Sequence, residues 1–190
     1  DNLAWLGHWS GNISVINFTD QTTTTYNLQS QLGFSSITSI VSENTDVAWL
    51  STKNGNLYRL RAGQVEQVAV KSQINKLVTL DNQIYALGNQ VILKQDRSDS
   101  NIVWNPLVVS ENESFTTICK LNEQGFLLGS DKGISKLYND KLYHIKEDIS
   151  VVSVAEHDEH VWFATSQNGI VELRLPNLEI ATLKRTNGLS

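Results

Sequence analysis

Apolar residues along this chain come in short bursts separated by polar turn residues. VWFATSQNGI, residues 161–170, is representative: Val161, Trp162 and Phe163 are bulky strand formers, Asn168-Gly169 tolerates the positive φ of a tight turn, and Ile170 restarts an apolar run. Apolar spacings of three and four do not persist over about twelve residues anywhere, the length an amphipathic helix needs, so the pattern predicts an all-β chain.

The same pattern is written five times. AWLSTKNGNL (48–57), FLLGSDKGI (126–134) and AWLGHWSGNI (4–13) keep the order of apolar strand, then Thr, Ser or His, then turn glycine and apolar restart. IYALGNQVI (84–92) is a degenerate copy in which Gly88 and Asn89 fill the turn, Asn accepting the left-handed conformation. The large hydrophobic position falls at Trp5, Trp49, Tyr85, Leu127 and Trp162, spacings of 44, 36, 42 and 35 residues, the period of a propeller blade.

Upstream of four copies lies an apolar-x-x-apolar-small run: Ile37…Ile40-Val41, Ile74…Leu77-Val78, Phe115…Ile118-Cys119 and Val151…Val154-Ala155. Its second apolar residue precedes the large one by 9, 8, 9 and 8 residues. Downstream, an apolar strand is followed by a more polar one: Leu57–Leu60 then Val65–Val68, Val91–Leu93 then Val103–Val109, Ile134–Leu137 then Leu142–Ile145, Ile170–Leu173 then Ile180–Leu183. Four strands per unit, graded from apolar to polar, predict a β-propeller of about five four-stranded blades with buried inner and wet outer edges. The blades span about 1–35, 36–72, 73–113, 114–149 and 150–190, and the first lacks its inner strand.

VWFATSQNGI, AWLSTKNGNL and FLLGSDKGI, with the terminal TNGLS at 186–190 that would lead into another inner strand, resemble the two-component regulator propeller repeat over essentially the whole chain. The third copy lacks the turn glycine, and Leu127 stands where an aromatic is common; both depart from that pattern. The resemblance implies a periplasmic or otherwise extracytoplasmic sensor propeller, carried ahead of an immunoglobulin-like domain, a membrane helix and a cytoplasmic histidine kinase or diguanylate cyclase. It further implies that the chain is a fragment of a larger propeller. It transfers no ligand-binding residue, because the matching motif is structural.

Composition narrows the partners. With 190 residues, 40% hydrophobic, 18% charged and a net charge of -5, the chain reads as one globular domain with a sizeable core. No clustered cationic face is written into it, which argues against nucleic acid. No run approaches the ~20 apolar residues of a membrane helix, and the start, Asp1-Asn2-Leu3-Ala4-Trp5, lacks a signal peptide's basic head and apolar middle. One cysteine excludes an internal disulfide.

Chemistry-bearing residues read as structural. His157 and His160 in AEHDEHVW, with Glu156 or Glu159, have a spacing open to a shared metal; the position between two strands predicts a solvated acidic turn and no metal. Cys119 with His144 evokes a nucleophile pair, yet Val41, Val78 and Ala155 occupy the same register, so a buried inert thiol is expected. Glu43, Asp46 and Glu147-Asp148 read as surface carboxylates with nothing to desolvate one as a general acid. GNLYRLRAG (55–63) has neither the spacing nor the following helix of a phosphate loop, and the Asn-x-Ser/Thr triplets at Asn12, Asn17 and Asn112 carry little weight in so Asn-rich a chain. The reading is non-enzymatic, with no cofactor.

The turns between second and third strands share one end of a propeller and there place His8, Trp9, Lys53, Asn54, Asp131, Lys132, Gln167 and Asn168. From this mixture of aromatic, amide and charge, His8, Trp9, Lys53, Asn54, Lys132 and Gln167 are the ligand-binding candidates, for a small polar solute, a saccharide or a peptide. Trp9 stands out, because Lys53, Asp131 and Ser166 occupy its position in other copies. Blades that do not close leave an apolar face of about 400 Å² at each end, worth on the order of 10 kcal/mol. The remainder of the propeller, a second copy of the chain or closure into a small ring is the expected cover. The function expected is a non-catalytic sensor module; the alternatives are a protein-interaction scaffold and, behind it, a propeller lyase or glycosidase, which requires converging acid and base groups.

Overall fold

In a computed structural model of the chain, residues 2–98, 101–121 and 125–183 are described, and the regular elements among them are all strands. A three-stranded sheet holds β1 (Leu3–Gly7), β2 (Ile13–Asn17) and β3 (Thr22–Tyr26). A four-stranded sheet holds β4 (Ile37–Ser42), β5 (Val47–Thr52), β6 (Leu57–Arg61) and β7 (Gln64–Val68). Next come β8 (Ile74–Leu80), β9 (Gln83–Ser98), β10 (Asn101–Lys120), β11 (Phe126–Ser130), β12 (Gly133–Tyr138) and β13 (Lys141–Glu147), neighbours in that order in one sheet. A last four-stranded sheet holds β14 (Val151–His157), β15 (His160–Thr165), β16 (Ile170–Arg174) and β17 (Glu179–Leu183). The chain divides into two compact units, Asp1–Pro106 and Leu107–Ser190.

The expectation of about five four-stranded blades is corrected to four sheets. Val103–Val109, expected as the third outer strand, and Phe115–Cys119, expected as the fourth inner strand, lie on the single strand β10. Ser110–Ser114, polar enough to read as a turn, contains no glycine and stays extended. The degenerate third turn also differs from expectation. Gln83 donates from its side-chain amide to the Gln95 carbonyl, although twelve extended residues span ~40 Å, so the chain reverses within β9. The positive φ falls on Gln90 (φ 65), not on Gly88 or Asn89. Gly88 answers a demand for space: a Cβ there would stand 2.1 Å from the Gln73 carbonyl oxygen. The first sheet has three strands, as expected; the terminal TNGLS lies outside the described residues.

The two sequence elements that kept constant spacing are cross-strand partners. Val41 faces Trp49, Val78 faces Tyr85, Cys119 faces Leu127 and Ala155 faces Trp162. Three of the four pairs thus set a smaller residue opposite an aromatic, filling the space between sheets without crowding. Each inner strand also carries a bulge just after its first residue, at Ile37/Ser39, Ile74/Lys76, Phe115/Thr117 and Val151/Ser153.

Successive sheets bury both faces of the strands between them. In the first unit, Ala48, Leu50, Tyr58 and Leu60 pack with Ile13, Leu28 and Leu32, while Trp49 and Leu57 pack with Ile74, Leu77 and Ile84. That two-sided cover explains why β5 is buried throughout rather than alternating. Trp49, 1% exposed, meets Trp104 edge to face at 5.1 Å and donates its Nε1–H to Glu43 Oε2 at 2.6 Å. Ser39 Oγ links neighbouring inner strands, accepting from Leu77 N–H at 3.1 Å. In the second unit, Leu127, Ile134, Val151, Phe163, Val171 and Leu173 form the core.

Candidate functional site

The displayed turns are fastened by backbone and hydroxyl groups, which explains the Thr or Ser of the repeat. Thr165 donates from its N–H (3.0 Å) and Oγ1 (2.7 Å) to the Gly169 carbonyl, and Thr52 does the same toward Asn56 at 3.2 and 3.3 Å. Ser130 Oγ accepts from the N–H groups of Lys132 (3.1 Å) and Gly133 (3.2 Å). Such short hydroxyl bonds close a turn locally. The following residue is tied to the segment before the inner strand: Lys53 N–H to Ser36 O at 2.9 Å, Asn89 to Gln73 at 2.9 Å, Asp131 to Ser114 at 3.0 Å and Ser166 to Ser150 at 2.9 Å.

Of the candidates in the first unit, Trp9 and Lys53 come together. Trp9 is 79% exposed, and Lys53 Nζ lies 5.4 Å from its ring centroid, a cation–π contact. His8 and Asn54 are partly committed to structure. His8 Nε2 bonds Ser14 Oγ at 2.8 Å, and Asn54 Oδ1 accepts from Thr52 Oγ1 at 2.5 Å. In the second unit, Gln167 stands exposed at the β15–β16 turn and Lys132 at the rim of a cleft.

That cleft, about 410 Å³, is lined by Glu113, Asp131, Lys132, His144, Glu147 and Asp148 among others. Asp131 is held by the Ser114 N–H, which donates to Oδ1 at 2.8 Å, and its Oδ2 stands 4.0 Å from Lys132 Nζ. His144 Nδ1 bonds Ser135 Oγ at 3.0 Å and lies 4.0 Å from Glu113 Oε1. The Glu113 side chain is 9% exposed, and its wholly buried Oε2 has no hydrogen-bond partner among the described residues. Four carboxylates therefore face one ammonium, with the most buried carboxylate the least satisfied.

Sequence reasoning missed Glu113, although the register holds a signal. It stands two residues before the inner strand's first residue, where the other copies carry Ser35, Ser72 and Ile149, all at least partly buried. A carboxylate written at that position is placed inward by the repeat itself.

The remaining candidates separate. His157 is exposed beside Asp158, whereas His160 bonds Glu172 Oε1 at 2.7 Å and stacks on Trp162 at 5.5 Å. The hydrogen bond from His160 holds the Glu172 carboxyl below its ordinary range, with Arg174's charge assisting. Among the described residues no three His, Cys, Asp or Glu side chains are placed to hold a metal ion. Cys119 is 3% exposed in the core, and burial, reinforced by the Glu156 charge, pushes its thiol up to about 12. Glu43, expected as a surface carboxylate, is instead half-buried as the acceptor for Trp49.

The chain matches no protein-family model and no curated protein. Solved structures do resemble it. The extracellular domain of the BT4673 hybrid two component system from B. thetaiotaomicron superposes with a TM-score of 0.71 at 19% identity, over 90% of this chain and 26% of that one. The extracellular domain of BT3049 from the same organism gives 0.67 at 17% identity, over 97% and 27%. The WD40 β-propeller domain of Doa1 gives 0.69 at 15% identity, over 95% and 64%. The fold is that of a β-propeller. This propeller chain spans about a quarter of the length of the two extracellular domains it resembles. No described helix is long and apolar enough to cross a membrane.

Proposed function

We propose that this propeller chain is a non-catalytic recognition module of an extracytoplasmic bacterial signalling protein of the two-component type, binding a small solute or saccharide at its turns. The observation that carries the reading is Trp9: a large aromatic displayed at 79% exposure, cradled by Lys53, at a position the repeat fills with Lys, Asp or Ser. An exposed ring of this kind stacks on a sugar face or a planar solute while the ammonium donates to oxygens on its polar edge. The extracellular signalling domains among the structural neighbours support the context. Signalling follows if the bound solute favours one packing of the blades over another, since a ligand shifts only an equilibrium whose states it distinguishes.

A thermal-shift screen of saccharides and small metabolites on the chain tests this. A hit raises the melting temperature, and Trp9→Ala, which touches no core, removes the rise. A saccharide shift that survives Trp9→Ala, or a chain that binds no small solute at all, sinks the reading.

Phe18 and Phe34, 61% and 79% exposed, favour a second reading, a scaffold that docks protein.

A further inference from the structure

We propose that the cleft of the second unit binds a small organic cation, an ammonium or guanidinium group whose N–H donors complete the buried carboxylate of Glu113. The proposal deepens the recognition reading and rests on it.

Glu113 is the anchor. Its side chain is more than nine-tenths buried, Oε2 has no hydrogen-bond partner among the described residues, and Oε1 is 4.0 Å from His144 Nδ1, beyond hydrogen-bond reach. A carboxylate removed from water without donors is strongly unfavourable, whereas a guest rich in N–H groups satisfies both charge and geometry. An N–H of an ammonium or guanidinium group reaching this carboxylate makes a charge-assisted hydrogen bond, shorter and stronger than a neutral one.

The rim selects the sign of the guest. Lys132 faces Asp131, so that pair is balanced, and the exposed Glu147 and Asp148 add two further negative charges at the mouth. Negative walls around a cleft raise the local concentration of cations. The volume, about 410 Å³, lies within the range of roughly 300–1,000 Å³ typical of small-molecule sites. A divalent metal is the poorer guest, because among the described residues no three ligating side chains are placed to hold one. A neutral saccharide can satisfy Glu113 through a hydroxyl but gains nothing from Glu147 and Asp148.

Isothermal titration of the 190-residue chain at low salt with agmatine, with spermidine and with an arginine-containing tripeptide tests the proposal. Calcium and neutral sugars serve as competitors. At least one cationic probe binds, and Glu113→Gln weakens it about tenfold or more. Glu147→Gln and Asp148→Asn, both at exposed positions, weaken it about two- to fivefold each with unchanged melting, so the result does not hang on the folding of the Glu113 variant. Tighter binding of agmatine or spermidine assigns the site to a free solute; tighter binding of the tripeptide assigns it to an arginine side chain. Absence of binding at millimolar probe, equal binding by Glu113→Gln, or displacement of the probe by calcium or sugar overturns the proposal. A sugar shift that depends on Trp9 without any cation binding sinks this inference alone; silence in both assays sinks the recognition reading too.

Discussion

Gly129→Ala is the sharpest probe of how neighbouring sheets pack in the second unit. A Cβ at Gly129 would stand 2.5 Å from Val151 Cγ1 on β14 and 2.7 Å from Thr117 Cγ2 on β10. Val151 and Thr117 are 1% and 3% exposed, so neither side chain has solvent to retreat into. Carbon atoms in good contact sit roughly 3.5–4.0 Å apart, which leaves the new methyl about 1 Å too close on two sides. Overpacking of this kind costs about 1–3 kcal/mol. Gly129 is not in the left-handed region, so alanine recovers ~0.5–1 kcal/mol of backbone entropy, and the net loss is up to about 2.5 kcal/mol. For a chain of this size that lowers Tm by up to about 10 °C, read by circular dichroism. Val151→Ala alone removes two buried carbons, about 1.6 kcal/mol plus any cavity. In the double variant the new methyl occupies the vacated space, so the loss is smaller than the sum by about 1 kcal/mol. Additivity to within ~0.3–0.5 kcal/mol would falsify the claim that Gly129 and Val151 share one packing space.

Three further outcomes are expected. Glu43→Ala strands the Trp49 Nε1–H in the core and costs about 1–3 kcal/mol in urea denaturation, a penalty that shrinks when Trp49→Phe removes the donor as well. Cys119 resists thiol reagents at pH 8 until the chain opens, because burial and the Glu156 charge hold the thiol protonated; labelling of the native chain at the rate of a free thiol refutes its placement. Glu172 holds its proton less tightly folded than unfolded, so the unfolded chain takes up more protons as pH falls below the ordinary value of 4.5. Its contribution is present above that pH and lost below it: Glu172→Gln is the less stable protein at pH 7, the gap closes toward pH 3, and a gap independent of pH contradicts the assignment.

The fold was legible where local chemistry repeats. Thr52, Ser130 and Thr165 each bond their own loop, and the apolar-to-large spacing records a cross-strand contact, Val41 with Trp49 and Ala155 with Trp162. Failures came where tertiary context overrode local signals. Ser110–Ser114 looks like a loop by polarity yet continues β10, and Gly88 looks like a turn glycine yet serves the close approach of the Gln73 carbonyl. At the candidate sites, Trp9 and Lys53 were visible as turn residues, since turns reach the surface whatever surrounds them. Glu113 was not, because its burial and its missing partner depend on residues of β11, β12 and β13 lining the cleft around it, and Glu43 was read as a surface carboxylate because its hydrogen bond from Trp49 forms only in the folded chain.

The ties from Lys53 to Ser36, Asn89 to Gln73, Asp131 to Ser114 and Ser166 to Ser150 all use peptide groups alone. Any amino acid with an amide hydrogen can make them. The hairpin tips are therefore free to drift in side-chain identity while their positions stay anchored, and one framework can be retuned from guest to guest by substitutions that leave folding undisturbed.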